Sequence, residues 1–422
     1  MLHAGIDFGT TNTVIALLGA DGTTRSAIFG TEQVFRSVLC FWSEEGRSGR
    51  SLHHAAGPEA ITAYLDDPLD SRLIMSMKTY LAQRSFVDTR IFGRRFSLPD
   101  LIAHFLRALA TAAGLDPAGL HVVAGRPVRF AGEFTDDDFG EARLRESFAA
   151  AGFRDVVVAL EPEGAGWRFA RTLIRPATVL VGDFGGGTSD FSVLRFEPGA
   201  PVRPIGHAGV GIAGDVFDYR IIDRAISPLL GKGDTYRIFG KDMPIPVQYF
   251  TSFARWHSLS LMRSPKTLRE IAELARTAQH PERLRGLFAL IQDEQGFPLY
   301  QAVSQMKASL SQAETAVLRF AHAGFSIERT VTRAEFEHWI AADIARIGMA
   351  VDKALAEAGL DAAAVDHVFL TGGTSFVPAV RRLFELRFGP EKVASGGEFV
   401  SVAEGLALMG LALKNHEDRS RH

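Results

Sequence analysis

Two apolar runs, one from Ala4 to Phe8 and one from Val179 to Val181, each bring in an acid, an aromatic and a glycine before the apolar pattern resumes at Val14 to Leu17 and at Phe191 to Leu194. The first interruption reads Asp7-Phe8-Gly9-Thr10-Thr11-Asn12-Thr13, and the second reads Asp183-Phe184-Gly185-Gly186-Gly187-Thr188-Ser189-Asp190. Short apolar runs bounded by Gly, Thr and Asn predict strand, tight turn and strand, twice. Helical spacing follows over 101–113 and 141–151, with short strands at 121–124 and 156–160 and a helix from about Glu163. The second half repeats the plan, with strands at 202–207 and 367–371 and helices over 214–226, 333–358 and 377–388. Strands alternating with helices predict an α/β sheet covered by helices in each half.

Two irregular stretches interrupt this plan. Residues from about 32 to 115 mix loops with His53-His54 and a basic cluster from Arg90 to Arg95, and residues from about 229 to 312 carry Gly231-Lys232-Gly233, several prolines and helical stretches. Adjacent histidines face opposite ways along a strand or helix, and no Cys, His or acid stands near these two at ligand spacing, so no metal site is expected there. Residues 414–422 form a charged tail that is expected to fray.

Composition narrows the function classes. At 422 residues and 46% hydrophobic content the chain can build more than one core. Lys plus Arg number 46 against 49 Asp plus Glu, a formal charge of -3, so no global basic field recruits nucleic acid or an anionic membrane, and neither is expected as a partner. Cys40 is the single cysteine, which excludes an internal disulfide framework and fits a reducing compartment. His3 and Asp7 break any apolar leader segment, and no apolar stretch approaches the roughly 18 residues needed to span a bilayer, so a cytoplasmic location is expected.

The chemistry of the two turns points to phosphate. Glycine lets backbone N–H groups approach phosphate oxygens, and Thr adds a donor without charge. A carboxylate beside a phosphate is repulsive unless a cation lies between them, so Asp7 and Asp183 argue for hydrated Mg²⁺ with a nucleotide. Two such turns facing each other would clamp a polyphosphate from both sides.

In these motifs the chain resembles the nucleotide-binding domain of Hsp70 chaperones, within the wider actin, sugar-kinase and Hsp70 superfamily. Gly5 to Asn12 resembles the first phosphate loop, Met77-Lys78-Thr79-Tyr80-Leu81 the segment with the catalytic lysine, and Gly125-Arg126-Pro127-Val128 a strand exit with its relay proline. Leu160-Glu161-Pro162-Glu163-Gly164-Ala165 resembles the connecting segment with the catalytic glutamate, Asp183 to Thr188 the second phosphate loop, and Leu370 to Ser375 the adenosine loop. The resemblance spans residues 4–413. It implies an actin-like ATPase fold, two lobes each with a ribonuclease H-like mixed sheet flanked by helices and a nucleotide cleft between them. The lobes would be 1–175, with an inserted subdomain at about 32–115, and 176–413, with one at about 229–312. Catalysis would fall to Lys78, Glu161, Asp183 and Thr188, and Asp7 and Asp183 would hold Mg²⁺ through water. The ATP or ADP contacts implied are Gly9, Thr10, Thr11, Asn12, Gly185, Gly186, Gly187, Thr188, Gly214, Lys307, Ser311, Gly372, Gly373, Thr374 and Phe376.

Some positions depart from the family. Ser304 stands where the family has an acid, Ala308 and Phe376 where it has arginines, and Ser401 where an aspartate is usual, while Lys307 and Ser311 match. The chain ends where the family's interdomain linker would begin, so a short Hsp70-like protein without a peptide-binding domain is expected, its protein partner or client engaging the subdomain surfaces. Gly209 to Gly214 fits the dinucleotide pattern Gly-x-Gly-x-x-Gly, but a lone match is weak beside the two turns. Asp183-Phe184-Gly185 lacks the companion motifs of a protein kinase, and no Walker A sequence is present. The expected function is a chaperone-type ATPase that switches a partner surface, with a sugar or metabolite kinase or a polymerising actin-like protein as the rivals.

Overall fold

The structure, a computed structural model, describes every residue except 1, 47–48, 132–134, 199, 201, 256–261, 323, 397–399 and 421–422. Its contacts divide the chain into two compact units, Met1–Gly214 with Ile344–His422, and Asp215–Asp343.

The first unit contains two sheets of one topology. In the first, β1 (Leu2–Phe8) pairs antiparallel with β2 (Asn12–Leu18), which pairs with β3 (Thr24–Ser26), and parallel with β4 (Leu120–Arg126), which pairs with β5 (Asp155–Leu160). In the second, β6 (Ala177–Phe184) pairs antiparallel with β7 (Ser189–Phe196), which pairs with β8 (Arg203–Val210), and parallel with β9 (His367–Thr371), which pairs with β10 (Val393–Ser395). Both sheets therefore run third, second, first, fourth, fifth. This is the doubled ribonuclease H-like plan of the actin-like ATPase fold. Each sheet's first hairpin is one of the two glycine-rich turns.

Helices cover both sheets. Helix α1 (Leu98–Ala112) opens with a capping box between Ser97 and Asp100, and α2 (Asp137–Ala150) is capped by Asp136. They bury Phe105 and Phe148 in a core with Phe8, Phe35 and Leu39, the rings of Phe8 and Phe105 lying 5.6 Å apart. Helix α3 (Glu161–Ala170) leaves β5 and lies on the second sheet, where a Cβ at Gly166 would strike Leu194 of β7. Helix α4 (Gly214–Ile221), which belongs to the second unit from Asp215 onward, runs into a π turn over Ile222–Ile226, and α5 (Gly296–Gln312) precedes the hairpin Thr315–His322 and Phe325–Thr332. Helices α6 (Arg333–Glu357) and α7 (Pro378–Phe388) follow.

The last helix, α8 (Ser401–Ser420), leaves the second sheet and lies on the first, where a Cβ at Gly5 of β1 would strike the backbone of Ala403 and Ala407. Helices α3 and α8 touch backbone to backbone, since a Cβ at Gly405 would overlap the carbonyl of Gly164. Val123, Ala165, Val181, Leu194, Val402 and Leu406 fill the space between the sheets. The helix extends to Ser420, so it includes most of the charged tail. The first irregular stretch is also more ordered than its sequence suggests, holding a three-stranded sheet of Gly49–Ala56, Leu39–Gly46 and Ser71–Ile74.

Candidate functional site

The two turns face each other. A Cβ placed on Gly187 would lie 3.3 Å from Oγ1 of Thr10. The first turn needs glycine at Gly9, where a Cβ would overlap the carbonyl oxygen of Asn12; the second is closed by the Gly185 N–H donating to the Thr188 carbonyl at 3.0 Å. The adenosine-like loop lies against the second turn. Gly372, at φ +85°, passes so close to the Phe184 carbonyl that no side chain fits, and Thr374 donates to the Gly185 carbonyl at 3.3 Å.

Between the turns sits a cluster of charge. Lys78, on the short helix Met77–Tyr80, donates to Oε1 of Glu161 at 2.5 Å, and the two residues are only 7% and 3% exposed. Burial alone would push the Lys78 ammonium down, but Glu161, Asp7 and Asp183 outweigh it and hold it above its ordinary value. Asp7 is pushed up to about 7, by burial first and by repulsion from Glu161 second. Asp183 is pushed well above the carboxylate range by burial and by its neighbours Asp7, Glu161 and Asp190. Three carboxylates thus share one ammonium. That imbalance favours a further cation, and the site fits a divalent ion. Among the described residues no three His, Cys, Asp or Glu side chains are arranged to hold a metal ion.

Asp190 went without a role in the sequence reading. It is buried opposite Asp183 across the hairpin, and its Oδ1 accepts from the backbone N–H groups of Val128 at 2.8 Å and Arg129 at 3.2 Å. Thr188 donates to the same carboxylate, whose pKa burial and Glu161 nonetheless push up to about 7. The residue pins the strand exit at Pro127 to the second turn. Its position directly across from Asp183 was the available signal.

The other expected residues fall into two groups. Thr11 receives the Ser37 N–H on its carbonyl at 2.9 Å, and the Asn12 carboxamide oxygen accepts from Arg36 at 2.9 Å. Phe376 is 49% exposed and Gly373 is exposed, whereas Thr374 is buried. Lys307 and Ser311 belong to the second unit, on α5, where Lys307 pairs with buried Asp218 at 2.9 Å and Ser311 donates to the Lys307 carbonyl. Gly214 opens α4.

Comparison with known proteins finds similarity at the level of the chain. The family profile for Hsp70 protein matches residues 293–420. Similarity to DnaK chaperones reaches nearly end to end. The chain is similar to Hsp70 proteins. It is 25% identical to the chaperone protein DnaK of Deinococcus deserti over 421 residues, 96% of this chain and 58% of that protein. It is 25% identical to DnaK of Thermus thermophilus over 418 residues, 96% and 60% of the two chains, and 23% identical to the dnaK protein of Guillardia theta over 418 residues, 94% and 58%. The chain thus spans about three fifths of the length of the curated relatives it matches. Among the described residues, no helix is long and apolar enough to cross a membrane.

Proposed function

We propose that the protein binds Mg²⁺-ATP between its two glycine-rich turns, hydrolyses it slowly, and uses the nucleotide state to switch a surface that engages a protein partner. The observation that carries this reading is the group of Asp7, Lys78, Glu161 and Asp183 between two turns whose tips meet at Thr10 and Gly187. In this reading the lobes are residues 1–175 and 176–413, each built around one sheet. Backbone N–H groups of Gly9 to Asn12 and Gly185 to Thr188 would bind the phosphates, and Gly372 to Phe376 would hold the adenosine end.

Lys78 would place its ammonium on the transferring phosphate, with Glu161 fixing its direction through their ion pair. Glu161 would orient the attacking water, and Thr188 would turn its hydroxyl from Asp190 to the terminal phosphate. Asp7 and Asp183 would hold the metal's waters. When bound, Mg²⁺ would neutralise phosphate charge as the leaving group departs. The DnaK relatives support the chaperone reading over a sugar kinase or a filament protein.

Calorimetric titration with Mg²⁺-ATP, paired with single-turnover hydrolysis, tests the site. Asp183→Ala should abolish metal-dependent binding, while Glu161→Ala and Thr188→Ala should slow turnover by about a hundredfold or more with binding retained. Unchanged turnover in all three variants would remove this site from the reaction, and ATP consumption that requires an added sugar would favour the kinase.

A further inference from the structure

The basic cluster noted at Arg90 to Arg95 takes no part in the nucleotide site. It forms the tip of a hairpin, Asp88–Ile91 with Arg94–Ser97, joined by the two-residue loop Phe92-Gly93. A second hairpin, Thr235–Ile238 with Lys241–Pro244, is joined by Phe239-Gly240. The two tips carry the same string, Arg90-Ile91-Phe92-Gly93 followed by Arg94, and Arg237-Ile238-Phe239-Gly240 followed by Lys241. One hairpin belongs to each compact unit.

Both tips run against local preference. A two-residue hairpin loop with both residues at positive φ favours Asn-Gly or Asp-Gly, because a bulky side chain in the left-handed region crowds its own backbone. Here Phe92 sits at φ 47° and Phe239 at φ 49°, each before a glycine at φ 83° and 75°. Phe239 gains no burial in return, being 96% exposed, and Phe92 is 39% exposed. An outward aromatic in a disfavoured conformation, present twice, answers no need of the hairpin itself. It has the form of an interface anchor, a large apolar side chain presented outward at a hairpin tip.

We propose that these two tips are docking elements for a protein partner that offers an apolar pocket rimmed by carboxylates. The pocket would receive the phenylalanine, and the carboxylates would meet the cations beside it. Arg90, Arg94 and Lys241 are exposed and make no ion pair among the described residues, whereas Arg95 is paired with Asp88 and Arg237 with Asp242. Arg90 and Arg95 stand directly opposite each other across the first hairpin, and Asp88 answers only the Arg95 charge. Single-stranded nucleic acid also likes arginine beside an aromatic, but it asks for a cationic track along its backbone. The second tip offers one unpaired cation, and the whole chain carries a formal charge of -3. Those facts favour a protein.

The test uses the full chain and fluorescence anisotropy with four labelled probes: a short acidic-apolar peptide of Asp, Glu, Leu and Met; the same peptide with Lys for its acids; the acidic peptide with Ser for its apolar residues; and oligothymidylate. The acidic-apolar peptide should bind best and weaken with salt. Phe92→Asn with Phe239→Asn should cut that affinity by about tenfold or more, as should Arg90→Ser with Arg94→Ser, while Phe92→Tyr with Phe239→Tyr retains it. The Asn substitutions should also leave the thermal midpoint unchanged or raised, since Asn suits the left-handed position; a hairpin aromatic with a purely structural role would lower it on removal. The proposal is overturned by no binding of the acidic-apolar peptide, by equal binding of the basic peptide, by binding that survives both Asn substitutions, or by tip-dependent binding of oligothymidylate instead.

Discussion

Asp190 shows how one buried carboxylate sets the shape of a site that it does not itself enter. It takes two backbone N–H groups from the 128–129 loop, so removing it and removing its charge are different experiments. Asp190→Ala leaves both donors without their partner and should cost about 1–3 kcal/mol of stability. Asp190→Asn keeps an oxygen in place and should cost well under half of that, as read by denaturant unfolding. A second residue-scale prediction concerns Asp215, which burial and its neighbour Asp218 push up to about 6. The folded state then holds this proton more tightly than the unfolded chain, whose carboxyl titrates near 3.8. The stability contributed by this group falls as pH rises between those two values and stays low above about 6. Asp215→Asn should therefore be more stable than the parent at pH above 6, with the difference vanishing near pH 4 in paired unfolding curves.

At the scale of elements, the decisive contact is the crossing of α3 and α8. Each helix leaves one sheet and covers the other, so the crossing ties the two sheets together. Its closeness depends on glycine in both helices, because a side chain at Gly405 has no room beside the Gly164 backbone. Gly405→Ala should force the helices apart and destabilise the protein by about 1–3 kcal/mol or more. Gly348, within α6, is the contrast: a Cβ there meets only side-chain ends, Leu383 at 3.4 Å and Arg387 at 3.9 Å, both ordinary contacts. Gly348→Ala should be neutral or stabilise by up to about 1 kcal/mol through helix propensity. Thermal midpoints that fall equally in both variants would show that the crossing is not the sensitive point.

For the whole molecule, the proposed site would provide unequally for the phosphate end and the base end of a nucleotide. The turns, the lysine and the acids match the Hsp70 pattern, whereas Ser304, Ala308 and Phe376 replace an acid and two arginines of the resembled base pocket. A missing charge-assisted hydrogen bond weakens binding by about 1.5–3 kcal/mol, or one to two decades in affinity, and stacking on Phe376 would recover only part. Affinity should then depend strongly on Mg²⁺, with adenosine alone barely bound and GTP competing with ATP. Calorimetry of ATP, GTP, ADP and adenosine decides this, and a preference for ATP over GTP of about a thousandfold or more would show that other residues rebuild the base pocket.

Local chemistry made much of this protein legible from its sequence. Both turns and their flanking strands follow from short apolar runs broken by Gly and Thr, and β9 appears with the predicted boundaries at 367–371. The long helix expected over 333–358 is Arg333–Glu357, because side-chain periodicity is a property of neighbours along the chain. Periodicity could not say which neighbours meet across the chain. Lys78 and Glu161 are 83 positions apart, and only the packed fold brings them to 2.5 Å. His54 has no ligand-spaced companion along the chain, yet His104 lies 3.2 Å away on α1. The exchange of covering helices and the hold of Asp190 on the Val128 and Arg129 amides are likewise long-range. The sequence by itself determined the strands, the turns and the kinds of chemistry they carry, since dihedral preference and hydrophobic period act over a few residues. Only the tertiary structure decided which charges are buried together, because burial and Coulomb energy depend on distances that no local pattern contains.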